Sequence, residues 1–149
     1  MKREQIKTIA YWATTILGPA SFVIGGTLSL TNSPEVTNGL QHLGYPAYFA
    51  ILLGIGKLFG AIVTILPGTP RLKEWAYCGF FIDLASAAYS HAAVGDAASD
   101  VIAPLMFLAL VLASWALRPA SRRLEPVRVD ATRSTAARQS TGAAALVSA

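Results

Sequence analysis

The sequence predicts an all-α, polytopic membrane protein built as a bundle of four transmembrane helices. Apolar residues make up 54% of the 149-residue chain and charged residues only 13%, which is about half the share usual in soluble domains. The charged residues also cluster, at 1–7, 71–74 and 118–138. A soluble domain needs charges over its whole surface, so a lipid bilayer is the environment that this pattern fits.

Four apolar segments are long enough to cross a bilayer as helices, because a hydrocarbon core of about 30 Å takes roughly 20 residues. They are predicted at about 9–30, 46–66, 75–94 and 97–117. The first segment is too long for a secretory signal and no Ala-x-Ala cleavage site follows it, so we expect an uncleaved helix. Residues 1–118 are therefore predicted to form one membrane domain.

Lys and Arg residues mark one side of the predicted bundle. Of the twelve basic residues, all except Lys57 lie before the first span, between the second and third spans, or in the tail. The loops at 31–45 and 95–100 have none. By the positive-inside rule, both termini are cytoplasmic and the chain is a multi-pass protein of the inner (plasma) membrane. Because membrane orientation accounts for this charge, we expect the lipid bilayer as a partner and no nucleic acid.

The first loop has the signals of a short helix. Pro34 can begin it and Gly44 can end it, while Val36, Leu40 and Leu43 share one helical face. We expect this helix to lie flat on the outer surface of the membrane.

Residues 119–149 are rich in Ala, Ser, Thr and Arg, without aromatic residues or clear periodicity. They are predicted to be a disordered cytoplasmic tail, because they cannot bury a core. Its first Arg residues are expected to contact anionic lipid.

Two charged residues lie within predicted spans, Lys57 in the second and Asp83 in the third. A charge in hydrocarbon costs roughly 2.5–3.5 kcal/mol, so each needs a partner or a function. The depths of the two residues differ by only about 3 Å, and a short loop joins their antiparallel spans, so we predict that they form an ion pair. Two interpretations stay open: a structural pair that fixes how two helices meet, or a site for a proton, an anion or a polar head group.

His91 is the third polar candidate within the membrane. It lies two turns beyond Asp83 and near the same face, where it can be an interfacial hydrogen-bonding residue or take part in proton transfer or quinone contact. His42, in the first loop, carries less weight, and the two histidines lack the spacing and third ligand of a metal or haem site. Asp96 and Asp100 are interpreted as loop and capping residues. Without a nucleophile–base pair or catalytic carboxylates, the sequence favours a protein that is not an enzyme.

Gly56 and Gly60 form a GxxxG step around Lys57, with Gly54 one turn away. Small residues let helix backbones approach closely in lipid. The run at 85–90 supplies a comparable surface on the third span, so we predict tight packing along this step.

Several runs carry a family resemblance: GYPAYF at 44–49, LGIGKLFGA at 53–61, PGTPRLKEWAY at 67–77, Phe81-x-Asp83-Leu84, and ALRP at 116–119. Together they resemble the DoxX-like family of small four-helix integral membrane proteins, over about residues 9–120. The resemblance implies a four-helix membrane fold and includes Lys57 and Asp83 in the family pattern. One departure is Ser29, which stands where many members have a lysine.

The resemblance also implies a function. Relatives are associated with quinone-linked sulfur oxidation and redox-stress complexes, usually as membrane subunits beside a catalytic partner. It therefore implies a non-catalytic accessory or anchor subunit of a redox-related membrane complex, with no cofactor of its own beyond proximity to quinone. One alternative is a small carrier or proton-coupled permease that uses the Lys57/Asp83 pair as a homo-oligomer. Another is an enzyme on a lipid-soluble substrate, for which Asp83 and His91 are the available groups.

Overall fold

The computed structural model describes residues 2–124, and over that range the chain is all-α. Its helices are α1 (Lys2–Leu17), α2 (Phe22–Leu30), α3 (Pro34–His42), α4 (Phe49–Ile65), α5 (Pro70–Val94) and α6 (Ala98–Leu117), with short 3-10 turns at Pro19–Ser21 and Ala120–Arg122. Apart from 119–124, the tail predicted to be disordered lies outside the described residues.

The first predicted span is not one continuous helix, which corrects the expectation for 9–30. It breaks after Leu17, at a 3-10 turn that begins at Pro19. Proline has no N–H to donate, and its ring disfavours helical backbone in the residue before it; Gly18 accordingly has φ −95° and ψ −100°. The break lets α1 pack on α6 while α2 packs on α4.

Two helical segments are long and apolar enough to cross a bilayer: Lys2–Leu30, counted through its break, and Ala98–Leu117. Helix α4 is apolar but shorter, with 17 residues. Helix α5 has 25 residues, and charged side chains at both its start and its centre interrupt its apolar character. The count of four spans therefore stays a prediction.

The packing leaves large apolar side chains on the outside of the bundle. A small core lies at its centre and consists of Phe22, Ala61, Tyr77, Phe80, Leu84 and Val111. Large side chains that point outward include Ile9, Ile24, Leu52, Ile82 and Met106, each more than half exposed. Such an apolar outer surface suits contact with lipid and not with water.

Glycines set two close helix contacts, but not all of those that the GxxxG step predicts. A Cβ on Gly54 would lie 2.9 Å from the carbonyl oxygen of Gly26, so α2 and α4 cross with their backbones nearly touching. A Cβ on Gly60 would lie 2.8 Å from the ring of Phe80. A Cβ on Gly56 would meet no atom within 4 Å. The predicted tight packing is therefore wrong at Gly56, which faces open space.

Candidate functional site

A cavity of about 590 Å³ lies between α4 and α5, with α3 above one end. Its walls are mostly apolar and include Phe22, Phe49 and Phe80. The space exists because small residues line it, and a Cβ on Gly56 of α4 or Gly79 of α5 would contact nothing within 4 Å. We call this space the α4–α5 cavity.

The ion pair of Lys57 and Asp83 forms part of the cavity wall. Lys57 Nζ lies 3.6 Å from Asp83 Oδ2, in agreement with the predicted contact, and the two side chains are 22% and 19% exposed. Lys57 Nζ also lies 5.9 Å from the ring centroid of Phe22, close enough for a cation–π attraction. Within residues 2–124, neither side chain makes a hydrogen bond of 3.5 Å or less to another protein group. Ammonium protons and carboxylate lone pairs therefore remain available to a ligand.

His91 is not joined to that ion pair. Its Nδ1 donates a hydrogen bond to Asp96 Oδ2 at 2.6 Å, and His42 Nε2 donates to Asp96 Oδ1 at 2.7 Å. Residues from α3, α5 and the loop after α5 thus share one carboxylate; we call them the histidine cluster. The chain turns back at Gly95, which has φ +80°, a left-handed helix ending that brings Asp96 under His91. Sequence reasoning placed Asp96 in the loop but missed its two partners, although all three residues were predicted at the same membrane face.

Asp96 lies outside the predicted spans, and its two hydrogen bonds affect its ionisation. The bond from His91, followed by the one from His42, holds the pKa of Asp96 below its usual value, because both bonds favour the charged carboxylate. The folded state gains stability from these bonds above the ordinary carboxyl pKa and loses it as the pH falls through the lowered one. The part of the chain that the structure describes has no group of three His, Cys, Asp or Glu residues arranged to hold a metal ion.

A second contact joins the segment after α3 to α5. The hydroxyl of Tyr45 and that of Ser90 are hydrogen-bonded at 2.9 Å. The ring of Tyr45 stacks on Phe49, with centroids 4.9 Å apart. All three residues line the α4–α5 cavity, so this end of the cavity has both apolar and hydroxyl surface.

The opposite end of the bundle holds a different polar cluster, centred on Lys73 and named here the basic end. Lys73 is fully buried and lies just before the span predicted at 75–94. Its Nζ donates to the carbonyl oxygens of Val63, Thr64 and Leu66 at the end of α4, which have no partner within the helix. Burial, followed by the nearby charges of Arg122 and Arg118, lowers the pKa of Lys73 to about 8. Sequence reasoning assigned Lys73 only a role in membrane orientation and missed these hydrogen bonds to the end of α4.

The arginines that follow α6 complete the basic end. Arg118 is only 3% exposed and donates from Nη2 to Glu74 Oε1 at 2.7 Å. Arg122 donates to the carbonyls of Thr64 and Ile65, at 3.2 and 3.1 Å. Arg122, the first arginine of the predicted tail, thus contacts the end of α4, and contact of the tail arginines with anionic lipid stays a prediction.

Residues 2–124 are all helical, with an apolar outer surface and an ion pair beside an apolar cavity. These features define a class, the helical membrane proteins. The model of the DoxX-like family matches residues 13–114. The chain belongs to this family, which confirms the resemblance found in the sequence. No curated protein and no solved structure gives a significant match. The matched region includes the α4–α5 cavity and the histidine cluster, and it stops before Arg118.

Proposed function

We propose that this chain is a non-catalytic membrane subunit that binds a lipid-soluble molecule with a polar head group, of the quinone class, and holds it for a redox partner. The observation that carries the proposal is the α4–α5 cavity, which joins apolar walls to an accessible Lys57–Asp83 pair. Binding pockets for small molecules combine these two features, with mainly apolar walls and a few polar groups that orient the ligand.

The chemistry of the ion pair suits both redox states of a quinone. The ammonium group of Lys57 can donate a hydrogen bond to a quinone carbonyl, and the carboxylate of Asp83 can accept one from a hydroquinone hydroxyl. A volume of about 590 Å³ is within the range of roughly 300–1,000 Å³ found for small-molecule sites. Since Gly56, Phe59 and Gly79 are exposed beside the cavity, a ligand dissolved in the bilayer can reach it from the side.

The proposal includes a membrane arrangement with four spans, formed by α1 with α2, by α4, by residues 75–94 of α5 and by α6. The basic end faces the cytoplasm, because positive charge is retained on that side. A phosphatase reporter, active only outside the cytoplasm, should be inactive when fused after Leu117 and active when fused at Gly95. The reverse pattern would contradict both the orientation and the plasma-membrane topology.

Quinone binding is tested with the protein purified in mild detergent and decylubiquinone as the probe. Gly79→Leu adds an apolar side chain to the cavity wall, at a position where an added Cβ meets no atom within 4 Å, and we expect it to weaken binding by about tenfold or more. The matched control is Gly25→Leu on α2, where an added Cβ also meets nothing within 4 Å but does not line the cavity. Equal affinities of Gly79→Leu and Gly25→Leu, with both variants folded, would contradict the proposal.

The accessory role is tested by co-purification of the chain from its native membrane. A stoichiometric partner that carries a flavin or a redox metal supports the role. A chain that purifies without a partner and binds no decylubiquinone would contradict it.

A carrier or proton-coupled permease is the second candidate, because Lys57 and Asp83 lie near the middle of their helices and are each about one-fifth exposed. Proton flux into vesicles, abolished by Asp83→Asn and dependent on a homo-oligomer, would favour this function. A quinone-binding subunit predicts no such flux.

A further inference from the structure

We infer that α3 is a movable outer wall of the α4–α5 cavity and that the shared carboxylate of Asp96 holds this wall closed. The inference rests on the proposed function for the identity of the ligand that enters the cavity when α3 moves. The movement of α3 itself can be measured without a ligand, so the two ideas can fail separately.

Helix α3 covers one end of the cavity and has a turn at each of its own ends. Leu40 and Leu43, from the face that the sequence predicts, line the cavity, and Leu40 is buried. The predicted helix beginning at Pro34 is confirmed. On either side of α3, Asn32 with φ +51° and Gly44 with φ +83° adopt left-handed backbone conformations. Such single-residue turns are the positions where a segment can rotate as a unit.

Side chains, rather than an extended packed interface, join α3 to the α5 side of the cavity. The backbone of α3 packs on α2 and α4. Toward α5, the side-chain hydrogen bonds among residues 2–124 are the one from His42 to Asp96 and, just after α3, the one between Tyr45 and Ser90. Asp96 is itself held by His91 at the end of α5. One carboxylate therefore connects the wall to the helix opposite.

Other ionisable groups near this end do not compete for the two histidines. Glu35 on α3 and Asp100 at the start of α6 are the other carboxylates of the elements that meet here. Among residues 2–124, neither carboxylate forms an ion pair with His42 or His91, for which the limit is 4.0 Å between nitrogen and oxygen. The link from His42 to His91 thus depends on Asp96, and removing this carboxylate releases both histidines together. The Tyr45–Ser90 bond then remains between this segment and α5.

The test measures access to the cavity with a charged methanethiosulfonate reagent, in detergent, so that the result does not depend on membrane orientation. The exposed Cys78 is first replaced by Ser, and Ala87→Cys then places a thiol on the half-buried cavity wall of α5. We expect Asp96→Ala to increase the modification rate of this thiol by about tenfold, through a larger open population. The matched control is Asp100→Ala, which removes a nearby carboxylate outside the cluster and should leave the rate unchanged.

An unchanged rate in folded Asp96→Ala would overturn the inference, as would an equal increase in Asp100→Ala. If Asp96→Ala does not fold, His42→Ala releases α3 alone and should give the same increase; no increase there also overturns it. Faster modification with no decylubiquinone binding to the parent protein supports the movable wall and contradicts the proposed function. Decylubiquinone binding with an unchanged modification rate supports the proposed function and contradicts the movable wall.

Discussion

The two lysines at the centre and at the basic end of this bundle are used in opposite ways. Lys73 is fully buried, and its ammonium group donates to three backbone carbonyls at the end of α4. Lys57 is 22% exposed, has one carboxylate at 3.6 Å and borders a cavity. A buried cation whose donors are all used stabilises a fold. A cation with unused donors beside an open space can bind something else, and this difference separates the structural site from the candidate functional one.

The basic end is also where neutral polar groups are fully paired. Ser114 Oγ is hydrogen-bonded to Thr15 Oγ1 at 2.7 Å and to Tyr77 OH at 2.8 Å, and all three residues are buried. This network fastens α1, α5 and α6 to one another. Within the described residues, no comparable network of hydroxyl groups joins α4 to α5, because the cavity separates these two helices. The basic end is thus held together by hydrogen bonds, whereas the other end of the bundle contains the α4–α5 cavity.

The largest expected effect is that of Lys73→Met, which keeps the length of the side chain but removes its donors. Each buried carbonyl left without a partner costs about 1–3 kcal/mol, so we expect a marked fall in the melting temperature in detergent. The control is Lys7→Met on α1, since Lys7 is 63% exposed and, among residues 2–124, pairs only with Glu4. Exposed pairs contribute about 0–1 kcal/mol. Equal melting temperatures for the two variants would mean that the buried hydrogen bonds of Lys73 do not stabilise the fold.

A smaller effect is expected at the cavity. Lys57→Met or Asp83→Leu alone strands a charge, at a cost of about 3–5 kcal/mol in a fully buried pair and less here, where both side chains are one-fifth exposed. Combining the two substitutions removes both charges, so thermal stability should recover. The comparison becomes sharper if the stable double variant no longer binds decylubiquinone. If each single variant is as stable as the parent and binds decylubiquinone equally well, the two residues are not partners.

A more moderate loss is expected for Ser114→Ala. It deletes a hydroxyl that bonds two buried hydroxyls, and a typical lost bond costs about 0.5–1.5 kcal/mol. The matched control is Ser86→Ala on α5, whose side chain is exposed beside the cavity. The melting temperature should fall for Ser114→Ala and stay unchanged for Ser86→Ala. A larger fall in the melting temperature for Ser86→Ala would reverse the assignment of rigid and open regions.

The smallest effect is expected from removing residues 124–149. These residues include few large apolar side chains, so we expect them not to contribute to a core. The truncation keeps Arg118, Arg122 and Arg123, which donate to carbonyls of α4 and α6. Melting temperature and yield should therefore match those of the full chain. Ending the chain at Leu117 removes all three arginines and should lower both; a loss after the shorter deletion would show that the tail docks on the bundle.

The sequence by itself determined helix α3 and the contact between Lys57 and Asp83. Helix α3 follows from Pro34 and Gly44, because proline favours a helix start and glycine a helix end. The contact of Lys57 with Asp83 follows from equal depth on two helices joined by a short loop, since the rise of 1.5 Å per residue fixes that depth. The family resemblance was readable from the same runs of residues.

The tertiary structure decided where these helices leave space. Gly56 and Gly60 look alike in sequence and both line the cavity, yet an added Cβ would meet the ring of Phe80 at Gly60 and open space at Gly56. The break before Pro19 lets α1 and α2 pack on different helices, and no local pattern predicts which. His42 likewise meets Asp96 only because distant segments come together. Lys73 meets its carbonyls because the turn between α4 and α5 folds the chain back on itself. Helix periodicity fixes the direction and depth of a side chain, but the distance to the next helix depends on every contact between the two.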